Sequence, residues 1–146
     1  MAEIILESRR FGRLEVEEDA LITVENILGF ENLRRYILVE HDGESPFHWL
    51  ISVDEPDVGF VVVEAGKIFA GYEVDLGPAE AEALELRDDD RPAVLVILSV
   101  SSGGQVTANL KAPLVVNPRI RRGRQVVQQE RDYPLRYPLG GPREEG

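Results

Sequence analysis

The chain contains no cysteine. That absence excludes disulfides, thiolate nucleophiles and cysteine-based zinc sites together. Histidine is scarce, with two in 146 residues. His41 and His48 have no third ligand motif beside them, so neither points to a metal, and no cofactor is expected. Aromatic residues make up 7% and do not interleave with the basic ones, which leaves little material for stacking on single-stranded nucleic acid. Positive charge is also in short supply. Sixteen Lys and Arg against twenty-seven Asp and Glu give a net charge of −11 and a pI near 4.6. Nucleic acid is held mainly by Lys and Arg against phosphate, so direct nucleic-acid binding is not expected, and a basic partner is. Long apolar runs are missing too. The longest, Ala93 to Leu98, falls far short of the roughly 20 residues of a membrane helix. The opening MAEIILESRR is too short and too charged for a signal peptide. The expectation is a cytoplasmic protein without membrane contact.

What is present reads as an ordinary globular chain, 43% hydrophobic and 29% charged, of a length that suits one core. Ile4 to Leu6, Arg13 to Val16 and Ala20 to Val24 have strand character, separated by Gly12 and the acidic turn Glu17-Glu18-Asp19. Gly29 inside the apolar run Ile27 to Phe30 marks a bend. Tyr36 to Val39 ends at the turn signal Asp42-Gly43. Phe47, Trp49, Ile51 and Val53 alternate with His48, Leu50 and Ser52, so the two sets face opposite sides of one strand. Val58 to Val63 is apolar enough to be covered on both faces. Phe69 and Tyr72 anchor an irregular segment. Pro78 to Leu86 has proline in a first helical turn, followed by acids near the positive end of the dipole, and reads as a helix. Ala93 to Val100 and Val106 to Leu110 suit a hairpin around Gly103-Gly104. Leu114 to Val116 and a last strand from Gly123 follow, then a proline-rich extended arm. The expected fold is mostly β: a small closed or nearly closed β-barrel with one short helix. It occupies 1–139 as one domain, with a flexible tail at 140–146.

Few side chains suggest chemistry. No Gly-x-Ser-x-Gly elbow is present, and Gly103-Gly104 precedes a strand where a phosphate cradle needs a helix. Arg119, Arg121, Arg122 and Arg124 are a basic cluster that reads as a loop joining two strands. Asp54, Glu55 and Asp57 surround Pro56 on a turn. They are either a solvated turn or a carboxylate set for acid–base work. Asp88 to Asp90 read as a helix-ending charge run. The stretch Thr107 to Pro118 is a rigid shaped element, in which Asn109 and Asn117 can hydrogen-bond local backbone and the prolines hold it extended.

Within that stretch Ala108-Asn109-Leu110-Lys111-Ala112-Pro113-Leu114-Val115-Val116-Asn117-Pro118 resembles the signature of the flagellar assembly factor FliW family. Arg10-Phe11-Gly12, Gly29-Phe30-Glu31, Phe47 to Asp54, Phe60-Val61-Val62, Gly123 to Val127 and Tyr133 to Leu139 match in the same order. The resemblance covers residues 3 to 139. It departs at Tyr137, where the family usually has histidine, and around Gly66 to Tyr72. The resemblance implies a small β-barrel-like regulator without catalytic activity. It implies two partners: the translational regulator CsrA, a basic RNA-binding protein that is bound and antagonised, and flagellin. The residues assigned to partner contact are Asp54, Glu55 and Asp57 on the turn, and Asn109 and Lys111 in the signature. Phe47 and Trp49 are assigned to the core.

Overall fold

The computed structural model describes residues 3–40 and 45–140. His41 and the Asp42-Gly43 turn lie outside them, as does the tail expected over 140–146 apart from Gly140. Among the described residues eleven strands follow one another: β1 (Glu3–Ser8), β2 (Gly12–Glu17), β3 (Leu21–Glu25), β4 (Arg35–Glu40), β5 (His48–Ser52), β6 (Gly59–Glu64), β7 (Ala93–Val100), β8 (Val106–Ala108), β9 (Leu114–Asn117), β10 (Arg122–Gln125) and β11 (Tyr137–Gly140). The helix expected after Gly77 forms as Pro78–Ala83, and a further single turn, Ala65–Ile68, lies in the segment that sequence left irregular. We number the turn α1 and the longer helix α2. The Gly77 N–H donates to Glu80 Oε1 at 3.0 Å, which satisfies one free donor at the start of α2.

The barrel closes through β3, β4, β5, β6, β7, β9 and β10, seven strands in that order. Two pairings complete it. β10 lies parallel to β3, and the first half of β7 pairs with β9 through Ala93↔Val116 to Leu95↔Leu114. The second half of β7 leaves the ring and pairs with β8, to which β11 adds. The arm expected near the C-terminus therefore ends as a strand, with Tyr137 opposite Ala108.

Ile22, Val24, Tyr36, Leu50, Val62, Leu95 and Leu114 point into the barrel and are buried. Each such side chain contributes roughly 1.5–3 kcal/mol of hydrophobic stabilisation. Burial also pushes the Tyr36 hydroxyl up to about 12. One end of the barrel is plugged by the segment between β3 and β4. Ile27 and Leu33 are buried there, and Phe30 meets Phe60 edge-on at 5.2 Å. Asn26 and Gly29 turn this plug with positive φ, 65° and 88°. Gln125 holds it in place, accepting from the Leu28 N–H at 2.8 Å and donating to Ala112 O at 2.9 Å.

Candidate functional site

β1 and β2 form a separate antiparallel hairpin laid against the outside of the barrel. Their even-numbered residues, Ile4, Leu6, Leu14 and Val16, face Ile37 and Ile51 of the barrel wall and make a second core. Trp49 belongs to this second core, between wall and hairpin, and Phe47 to a third cluster near Phe69. Both aromatics are half-buried and packed against these outer clusters, and neither is inside the barrel, where the sequence assigns them.

The tip of the hairpin is clamped to the turn between β5 and β6. Asp57 Oδ1 accepts from Ser8 Oγ at 3.0 Å and from the Arg9 N–H at 2.7 Å. Ser8 Oγ in turn accepts from the N–H groups of Arg10 and Phe11, both at 3.0 Å. Phe11 lies over Gly59, where a Cβ would stand 2.6 Å from the ring, and meets Trp49 edge-on at 4.8 Å. The Arg10 guanidinium covers both rings, 4.8 Å from the Phe11 centroid and 5.8 Å from that of Trp49. Arg10-Phe11-Gly12 and the strand Phe47 to Asp54, distant in sequence, thus build one surface.

The three turn acids divide by role. Asp54 accepts from Arg35 at 2.6 Å, and that hydrogen bond holds its carboxyl below the usual carboxylate range. Asp57 is held low first by the Arg9 backbone N–H and then by Ser8. Glu55 is exposed and, among the described residues, its side chain has no partner. Asn109 and Lys111 are not part of this surface. Asn109 Oδ1 accepts from the N–H groups of Lys111 and Ala112 at 3.1 and 3.0 Å, and Lys111 Nζ donates to Arg131 O at 3.0 Å. Together they lace the segment before β11 to the barrel. The signature run is largely buried, and its shape is what the fold uses.

Sequence reading missed the most distinctive feature of the surface, the outer face of the hairpin. Glu3, Ile5 and Glu7 of β1 and Arg13, Glu15 and Glu17 of β2 all point outward and are exposed. Glu3 stands directly opposite Glu17, and Ile5 opposite Glu15. Arg13 pairs with Glu7 at 3.1 Å and Glu15 at 2.7 Å, so among the described residues the end formed by Glu3 and Glu17 remains uncompensated. Like charges directly opposite each other destabilise a hairpin. Ile5 sits among them 48% exposed, an apolar centre in an acidic rim. The period-two placement of glutamates in Glu3 to Glu7 and Arg13 to Glu17 was the available signal, but it becomes a surface only once the two strands pair.

The arginine cluster serves the fold at two of its positions. Arg119 binds Asp90 at 3.0 Å and Glu85 O at 2.6 Å, and Arg122 binds Glu85 at 3.2 Å. Both arginines thus fasten the turn between β9 and β10 to the end of α2, where cations suit the exposed carbonyls.

These features define a class: a small closed β-barrel with an acidic hairpin clamped to its wall. The family model described as FliW protein matches residues 5–139. The Flagellar assembly factor FliW of Caldicellulosiruptor saccharolyticus is 39% identical over 137 residues, which cover 92% of this chain and 90% of that one. Its counterpart in Natranaerobius thermophilus is 33% identical over 135 residues, 90% of this chain and 89% of that one. A crystal structure of the flagellar assembly factor FliW superposes with a TM-score of 0.82 at 32% identity, covering 92% of this chain and 96% of the other. The chain belongs to the FliW family of flagellar assembly factors.

Proposed function

We propose that this chain is a protein-binding regulator of flagellum assembly, acting in the cytoplasm without catalysis. It binds and antagonises the translational regulator CsrA and binds flagellin, so that flagellin synthesis follows assembly. The observation that supports this reading is the uncompensated Glu3–Glu17 pair on an exposed hairpin face. A chain of net charge −11 that keeps like charges directly opposed, with the exposed Ile5 beside them, presents complementarity to a basic partner. Glu55 is a further exposed carboxylate, on the turn that clamps the hairpin tip, while Asp54 and Asp57 are engaged by Arg35 and by Ser8 and Arg9. An acidic protein docked on an RNA-binding partner also repels phosphate, within a Debye length of ~8 Å at physiological salt. A carboxylate-dependent enzyme gains no support from the turn. Asp54 and Asp57 are shifted down, whereas a general acid near neutral pH needs an upward shift.

The test is a titration of CsrA, repeated with flagellin present. Tight binding of CsrA that flagellin weakens is the expected result. The variant Glu3→Lys with Glu17→Lys should slow CsrA association, because rim charges act mainly on the on-rate. Binding of flagellin alone would leave a flagellin chaperone, and binding of neither would sink the proposal.

A further inference from the structure

Phe69, Tyr72, Tyr133 and Tyr137 gather where the segment after α1 meets the arm before β11. Tyr72 and Tyr133 are stacked, with 4.4 Å between centroids and 20° between planes. Phe69 stands across this stack, 5.6 Å from Tyr133 at 81°, and meets Tyr137 at 5.4 Å and 68°. Two hydroxyls fix the stack. Tyr72 Oη donates to Leu110 O at 2.7 Å, and Tyr133 Oη accepts from the Glu73 N–H at 2.9 Å. The Leu110 N–H donates to Pro134 O at 3.1 Å, and Lys111 Nζ to Arg131 O at 3.0 Å, so the arm is tied to the signature run on both sides of Tyr133.

A surface cavity of about 520 Å³ opens beside these rings. Phe69, Tyr133 and Tyr137 line it and Tyr72 does not, so Tyr133 turns toward it the side that the stack leaves uncovered. The face of an aromatic ring is negative and attracts a cation. Among the described residues the cation–ring contacts are those of Arg10 with Phe11 and Trp49, so no cation of the chain itself covers these three rings. The charges that line the cavity act in the same sense. Glu130 and Asp132 are exposed and, among the described residues, make no ion pair. Arg131 lies between them in sequence, but its guanidinium is engaged by Glu73 at 3.0 Å and Asp75 at 2.8 Å. The charges left open on the lining are therefore anionic. A hydrated metal ion gains little from aromatic walls, and among the described residues no group of three or more His, Asp or Glu could hold one. A weakly hydrated cation with carbon around its charge suits both the rings and the carboxylates.

We infer that this cavity binds an organic ammonium group, whose carbon substituents pack on Phe69, Tyr133 and Tyr137 while Glu130 and Asp132 balance its charge. Two sources carry that chemistry: a quaternary ammonium on a small solute, and the Nζ of a lysine side chain on a polypeptide. The site shares no residue with the outer face of the hairpin, so it goes beyond the docking surface proposed above and stands or falls separately.

NMR on the full chain tests it, with choline as the first probe. The N-methyl signal of choline should move upfield as the rings enclose it. Ring signals of Phe69, Tyr133 and Tyr137 should shift along the same saturation curve, with a dissociation constant on the order of millimolar for so small a ligand. The alcohol 3,3-dimethylbutan-1-ol has the same shape without the charge and should bind at least about fivefold more weakly. N-acetyl-lysinamide separates the two sources. Binding no weaker than that of choline assigns the site to a lysine side chain, and weaker binding assigns it to a free quaternary ammonium. Among the described residues the Tyr137 hydroxyl has no hydrogen bond, so Tyr137→Phe should bind choline as the parent does. Tyr137→Leu should bind about two- to fivefold more weakly, the worth of one exposed cation–π contact. If Tyr137→Leu fails to fold, Glu130→Gln with Asp132→Asn carries the test on exposed side chains, with a loss of up to about fivefold. An absence of saturable shifts, equal binding of the neutral alcohol, or unchanged binding in Tyr137→Leu or in the double variant overturns the inference.

Discussion

At the scale of single residues, the hairpin clamp depends on a glycine and an aspartate. Gly59 leaves room for Phe11, whose Cζ and Cε2 would stand 2.6 and 2.8 Å from an added Cβ. Gly59→Ala should therefore destabilise the chain by about 1–3 kcal/mol, the usual cost of overpacking. Chemical denaturation measures this. In a Phe11→Leu background the penalty should shrink, because the two sites are in contact and their effects are not additive. A full penalty in both backgrounds would mean that Gly59 matters for another reason. Neither role was legible in sequence. Gly59 looked like the edge of an apolar strand. Asp57 looked like a solvated turn acid, but its partners are Ser8 and Arg9, 49 and 48 positions away. An exposed turn acid and a latch have the same local sequence, and only the remote partner distinguishes them.

At the scale of elements, strand periods and a closed or nearly closed barrel were legible, and the particular pairings that close it were not. The alternation through Phe47 to Val53 separated the two faces of β5, since side chains alternate along a strand, but the face turned into the barrel is that of Leu50 and not that of the aromatics. The parallel β3–β10 pair and the β7–β9 pair leave no such local trace, because nothing between the partners repeats. Asn117 illustrates the same limit for the site. It read as a turn former, and it does accept from the Arg119 N–H at 3.1 Å. Its buried side-chain amide also donates to Leu84 O at 2.8 Å, which fastens the end of α2 to β9. Asn117→Ala leaves a buried carbonyl unpaired and should lower stability by about 1–3 kcal/mol, read from the urea midpoint at unchanged slope. The hairpin predicts the opposite sign. Glu17→Lys replaces a like-charge pair with an opposite one, and stability should rise by about 0.2–1 kcal/mol. The same variant should bind a basic partner more weakly. Stability and binding that fell together would indicate damage to the hairpin rather than loss of a charge kept for function.

At the scale of the whole molecule, pH and salt act on different parts of the charge. Asp54, Asp57 and Asp90 are all held below the ordinary carboxylate value of 3.8, each first by a hydrogen bond, from Arg35, the Arg9 backbone and Arg119 respectively. A depressed pKa in the folded state means that the unfolded state takes up protons first as pH falls. The stability these groups contribute is complete above the unfolded value and is lost as pH drops through the folded one. Melting temperature should therefore hold down to about pH 4 and fall below it, with a shallower fall in Asp57→Asn. Salt tests the proposed antagonism instead. If repulsion between the acidic chain and RNA phosphate does the work, raising salt to about 1 M shortens the Debye length to about 3 Å and removes it beyond direct contact. With CsrA kept saturated by excess of this chain, RNA should return to the CsrA surface as salt rises, at constant occupancy of the protein complex. The RNA–CsrA contact weakens with salt as well, so a CsrA-only titration at each salt sets the baseline. An RNA affinity ratio, with and without this chain, that stays constant across the series would rule out repulsion and assign the antagonism to contact at the RNA path.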